Sequence, residues 1–122
     1  MPARCLIVDD NGSFLEAASV LLERQGLTIA GVASNAADAF REAARLKPDV
    51  VLVDLMLGGE SGFEVARLLV EEDGLGAAVI LISTHSEADF ADLIAATRAA
   101  GFVSKSDLSA SAIDRVLAAR AG

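Results

Sequence analysis

Val50-Val51-Leu52-Val53 runs directly into Asp54. Four apolar residues in succession, with no polar alternation, read as a strand whose two faces are both covered, the mark of a parallel sheet. Similar runs lie at Cys5–Val8, Leu27–Val32, Val79–Ile82 and Gly101–Val103. The second, interrupted by Thr28 and Gly31, suits an edge. Between the runs, apolar residues recur at helical spacing. Phe14, Ala17, Ala18, Leu21 and Leu22 form one such face, and Ala36, Phe40, Ala43 and Ala44 another. Three more follow from Phe63, Phe90 and Ile113. Ser13 with Glu16, Ser61 with Glu64, Ser86 with Asp89 and Ser111 with Asp114 each place a hydroxyl three residues before a carboxylate, a helix-start spacing. Gly26 and Gly74 read as helix stops, and Pro48 closes the second helix. The pattern predicts (βα)₅, an α/β fold with a parallel sheet and helices on both faces.

At 122 residues the chain has room for one domain, spanning 1–122. It is 53% hydrophobic and 23% charged, which fits a packed domain and not a disordered one. It has no Trp or Tyr, so Val, Ile, Leu, Ala and five Phe must fill the core. A net charge of −8 argues against direct nucleic acid binding, which needs a basic face. Cys5 is the only cysteine and sits in an apolar run, as a free buried thiol suited to a reducing cytoplasm. The N-terminus has no signal-peptide pattern, and no apolar run is long enough for a membrane.

In a parallel α/β sheet, ligands bind beyond the carboxyl ends of the strands. There the sequence places Asp9 and Asp10 after the first strand, Asp54 after the third, Ser83 after the fourth and Lys105 after the fifth. Taken singly, these are ordinary: Asp forms turns and caps, and Lys is usually solvated. Together they gather three carboxylates, whose mutual repulsion calls for cations. Mg²⁺, which takes oxygen ligands from one or two carboxylates, is one candidate, and the Lys105 ammonium is the other. A carboxylate is a competent nucleophile toward phosphorus when metal, ammonium and hydroxyl groups neutralise the phosphoryl oxygens. Asp54 would then carry an acyl phosphate. With no evident strong base nearby, a stoichiometric modification suits the set better than a turnover enzyme.

The chain resembles the response-regulator receiver family, which includes the chemotaxis regulator CheY. Leu-Ile-Val-Asp-Asp (6–10), Val-Leu-Val-Asp-Leu-Met-Leu (51–57) followed by Ser61-Gly62, Ile-Leu-Ile-Ser-Thr (80–84) and Gly-Phe-Val-Ser-Lys (101–105) carry the likeness across nearly the whole chain. Gly-Phe-Val-Ser-Lys-Ser-Asp-Leu looks most like the NarL/FixJ group, whose receivers precede a LuxR-type helix-turn-helix. The resemblance implies a flavodoxin-like sheet of order 2-1-3-4-5, with Asp54 as phosphoacceptor. It implies that Asp10, Asp54 and the Met56 carbonyl ligate Mg²⁺, with Asp9 acting mainly through metal-bound water. Ser83 and Lys105 would each engage a phosphoryl oxygen, and Phe102 would turn inward as Ser83 moves. The implied partners are a sensor histidine kinase, a C-terminal DNA-binding output domain absent from this chain, and a second copy upon phosphorylation.

Three positions depart from the family pattern. Gly58, followed by Gly59, replaces the usual Pro, and two glycines are expected to loosen that loop. Ser106 replaces the Pro that commonly follows the lysine, and Thr84 is bulkier than the usual small residue. Apolar Met56 beside Thr84 leads to an expectation of slow self-dephosphorylation, while His85 either orients or blocks a water, or is simply a solvated loop residue.

Other functions compete. A haloacid-dehalogenase-like, Mg-dependent aspartyl-phosphate phosphatase spaces its acids one residue apart, whereas adjacent Asp9 and Asp10 would diverge if extended. A flavodoxin-type cofactor binder needs a phosphate-cradling first loop, and this one is acidic. A receiver that only binds proteins would not need the intact acidic set and Lys105. The chain ends where a fifth helix should finish, as either a stand-alone receiver or part of a longer regulator.

Overall fold

Five parallel strands form one sheet in the computed structural model, which describes residues 3–71, 76–85 and 87–121. They are β1 (Arg4–Val8), β2 (Thr28–Ala33), β3 (Val50–Asp54), β4 (Ala78–Ser83) and β5 (Gly101–Ser104). Their spatial order is β2-β1-β3-β4-β5, as the resemblance implies, and β2 is an edge. The helices are α1 (Gly12–Arg24), α2 (Ala36–Leu46), α3 (Gly62–Glu71), α4 (Ala91–Thr97) and α5 (Ala110–Ala121).

The period of two along each strand sends alternate residues to opposite faces. Cys5, Ile7, Val50, Leu52, Ile80 and Ile82 pack with Leu15, Ala18 and Leu22 of α1 and Ile113 of α5. Leu6, Val8, Val51, Val53, Val79 and Leu81 pack on the other side with Ala39 and Ala43 of α2 and Val65, Ala66 and Leu69 of α3. Both faces are dry, which is why the central strands carry no polar alternation. The buried stripe of α1 is turned slightly from the expected one: Leu15 is in the core, while Ala17 and Leu21 face out.

Two helix starts differ from the serine-based expectation. The Asn11 side chain, not Ser13, accepts the Phe14 N–H at 3.1 Å and starts α1. Ser109, not Ser111, accepts the Ala112 N–H at 3.0 Å at the head of α5. In each case an earlier polar residue claims the free N–H first, so the helix begins sooner. Ser61 does accept the Glu64 N–H, at 3.4 Å. Gly26 follows α1 with φ +99°, and α2 stops at Leu46, two residues before Pro48. Ser86 and Gly74 lie outside the described residues.

The segment after β3 folds back on itself as a short hairpin. Met56–Leu57 pairs antiparallel with Glu60–Ser61 around Gly58-Gly59. Gly58 has φ +62°, a value closed to proline, whose ring fixes φ near −65°. A glycine at the first of two turn residues suits a tight hairpin. The Glu60 carboxylate accepts the Ala36 N–H at 2.9 Å, which pins the hairpin to the start of α2.

Candidate functional site

Because β1 and β3 are neighbours, their carboxyl ends bring Asp9, Asp10 and Asp54 together. One oxygen from each lies within 4.8 Å of the others. The chain bends at Asp10, so the adjacent pair converges instead of diverging as an extended pair would. Asp9 is wholly buried, Asp54 is 7% exposed, and Asp10 is exposed. The Asp9 N–H donates to the Ala33 carbonyl at 3.0 Å, which fixes the loop to β2. Asp9 Oδ1 accepts the Asn11 N–H at 2.9 Å, and Asp54 Oδ1 accepts the Met56 N–H at 3.3 Å.

Lys105 begins the turn that follows β5, with β4 between it and the acids. Its long stem crosses the end of β4 and places Nζ 2.6 Å from Asp9 Oδ2 and 3.0 Å from Asp54 Oδ2. The contact with Asp9 is an ion pair, since no hydrogen bond of good angle reaches that oxygen. Burial raises the pKa of Asp54, the hydrogen bond from Lys105 opposes it, and the nearby charge of Asp9 raises it further, so the balance is upward. Burial alone would lower the Lys105 pKa, but the Asp9 and Asp54 carboxylates outweigh it and raise the value. Lys105 therefore stays charged at neutral pH.

This donor set fits a hard divalent cation. Three carboxylates offer only oxygen, and the exposure of Asp10 leaves room for water in the shell. Met56 follows in the hairpin and is 59% exposed. Ser83 ends β4 and is buried, beside the pairing of Ile82 with Asp54. Its Oγ accepts the His85 N–H at 3.0 Å and lies 3.4 Å from His85 Nδ1. His85 is exposed, and its ring stands edge-on to Phe90 with centroids 5.6 Å apart. Phe102 is half-buried on β5, at the wall of a cavity of about 600 Å³ that Thr84, His85, Arg115 and Val116 also line.

Two residues at the site escape a reading by composition and period. Phe14 reads as a core residue of α1, yet its ring centroid lies 4.2 Å from Lys105 Nζ. Its place one turn into the helix that leaves the acidic loop is the only signal. Gly62 reads as part of a motif, and the structure supplies the reason. A Cβ there would stand 1.7 Å from the Asp54 carbonyl oxygen, so only glycine admits the return of the chain against β3.

Residues 5–116 match the family profile of the response regulator receiver domain. The DNA-binding response regulator MtrA of Mycolicibacterium smegmatis is 38% identical over 88 residues, covering 70% of this chain and 37% of that protein. A two-component response regulator of the LuxR family from Aurantimonas sp. SI85-9A1 superposes with a TM-score of 0.78 at 33% identity, over 87% of this chain and 76% of that one. The signal receiver domain of a NarL regulator from Mycobacterium tuberculosis does so with a TM-score of 0.82 at 29% identity, over 99% and 98%. The chain spans less than half the length of the curated relatives it matches, for example 49% and 38%.

Proposed function

The chain belongs to the response regulator receiver domain family of two-component signalling, and from that premise we propose that Asp54 accepts a phosphoryl group from a sensor histidine kinase. The observation that supports this most is the Lys105 ammonium, 2.6 Å from Asp9 Oδ2 and 3.0 Å from Asp54 Oδ2. A cation so placed is ready to take up charge arriving on Asp54.

An Asp54 carboxylate oxygen attacks phosphorus, and the new O–P bond forms as the donor's N–P bond breaks. The electron pair of that bond leaves with the imidazole nitrogen. Asp10, Asp54 and the Met56 carbonyl would hold Mg²⁺, with Asp9 behind them, and the ion would supply charge neutralisation on the phosphoryl oxygens. Lys105 moves from Asp54 to one phosphoryl oxygen, and the Ser83 hydroxyl turns from His85 to donate to another. Ser83's movement frees space for Phe102 to turn inward, a two-state shift that phosphorylation biases. The domain assists its own modification but does not turn over like an enzyme, since the charged Lys105 offers no base.

Residues 1–122 act as one receiver unit. The output we infer is a DNA-binding domain or partner, with a second copy of the chain joining upon phosphorylation, in the cytoplasm. Among the described residues, no helix is long and apolar enough to cross a membrane. The test is incubation with Mg²⁺ and acetyl phosphate, followed by intact mass. Gain of one phosphoryl group, absent in Asp54→Asn, supports the reading. Continuous phosphate release over many turnovers favours a phosphatase and overturns it.

A further inference from the structure

We propose that Phe14 is a positioning residue for Lys105, its ring face holding the ammonium over the acid cluster while Asp54 exchanges its ion pair for the phosphoryl group. The inference rests on Asp54 being the phosphoacceptor.

The contacts around Phe14 close into a circuit. Asp9 Oδ1 accepts the Asn11 N–H at 2.9 Å, and Asn11 Oδ1 accepts the Phe14 N–H at 3.1 Å. The Phe14 ring lies 4.2 Å from Lys105 Nζ, which returns to Asp9 Oδ2 at 2.6 Å. The same short loop that aims Asp9 therefore aims the ring. Phe14 is half-buried and packs against the edge of the core cluster of Leu15, Ala18 and Leu22, which seats the ring while Lys105 Nζ stands 4.2 Å from its centroid.

The chemistry favours a ring at this point. An ammonium has three N–H groups, and two carboxylates already engage this one. A third carboxylate would pin the cation and repel the incoming phosphoryl charge. An aromatic face attracts the cation through its quadrupole without adding net charge and excludes water from one side. That attraction is spread over the face, so Nζ can slide from Asp54 to a phosphoryl oxygen without losing it. With Asp9 as the only other anchor, the ammonium would be drawn toward the buried acid and away from the phosphoryl group.

The test follows phosphorylation of the full chain by acetyl phosphate with Mg²⁺, read by intact mass. Phe14→Leu, similar in size but without a quadrupole, is expected to slow the reaction about tenfold, and Phe14→Tyr to keep it near the wild-type rate. Site-specific insertion of mono-, di- and trifluorinated phenylalanine at position 14 is expected to slow it stepwise. Each fluorine weakens the ring's negative face with little change in volume, so a merely structural role predicts no gradient. Thermal midpoints check that the variants fold. A flat fluorine series, or a wild-type rate in Phe14→Leu, overturns the proposal while leaving Asp54 as phosphoacceptor. Failure of the wild-type chain to gain a phosphoryl group overturns the phosphoacceptor reading, and this inference falls with it.

Discussion

The main chain at Gly62 comes so near Asp54 that a methyl group on residue 62 would overlap the Asp54 carbonyl oxygen, at 1.7 Å. The Gly62 N–H also donates to the Leu55 carbonyl at 2.9 Å, which fixes the approach. Gly62→Ala must push the hairpin and the end of β3 apart. We expect it to cost about 3 kcal/mol of stability and to weaken the response to Mg²⁺. Chemical denaturation with and without Mg²⁺ measures both, and an unchanged midpoint would refute the close approach.

Asp54 gives the pH dependence. Its folded pKa lies above the unfolded one, because burial and the charge of Asp9 outweigh the help from Lys105. Such a group favours the fold fully below the unfolded value, and that advantage is lost as pH rises through the folded value. Without metal, the ionised carboxylate is therefore a cost at neutral pH. Asp54→Asn should raise the metal-free midpoint by roughly 4 °C at pH 7. The gain should shrink toward zero below about pH 4. Melting curves across pH check the sign, and a lower midpoint for the variant at pH 7 would contradict it.

Lys105 is the counter-ion of a wholly buried acid. Lys105→Ala strands the Asp9 charge and should destabilise by about 3 kcal/mol. Adding Asp9→Asn should recover most of that loss, since no unpaired charge is then left behind. The double-mutant cycle is read by denaturant unfolding. Additive effects would mean that the two residues are not coupled.

Burial raises the Cys5 thiol pKa to about 12. The thiolate is the reactive form, so an alkylating reagent at pH 8 should label the chain only as it unfolds. Labelling at the rate of a free thiol in native buffer would show that Cys5 is accessible.

The phosphorylated state should be long-lived. Met56 is apolar and exposed, so it would not orient an attacking water, and Thr84 is bulkier than the small residue usual after the serine. The expected half-life is minutes or longer, followed by intact mass after removal of the donor. Decay within seconds would sink this expectation.

The strands were legible because burial on both faces leaves its trace in every residue. Val50–Val53 and Cys5–Val8 read within one residue of their observed limits. The acidic cluster and Lys105 were legible because this architecture has only one edge at which strand-end chemistry collects. Strand order was not in the periodicity and came through resemblance. Helix starts were less clear, since Asn11 and Ser109 compete with nearby serines of similar capping strength. The hairpin at Gly58 and the ring of Phe14 over Lys105 depend on how distant segments meet, which local spacing does not encode.

Lys105 is delivered by the segment that follows the last strand, yet its charge completes a cluster begun at residue 9. The cluster is thus closed by the segment after the last strand of the sheet. During synthesis, a nascent polypeptide holds all three acids long before it holds their ammonium. The ion pairs of the acid cluster are therefore complete only once the last strand has joined the sheet.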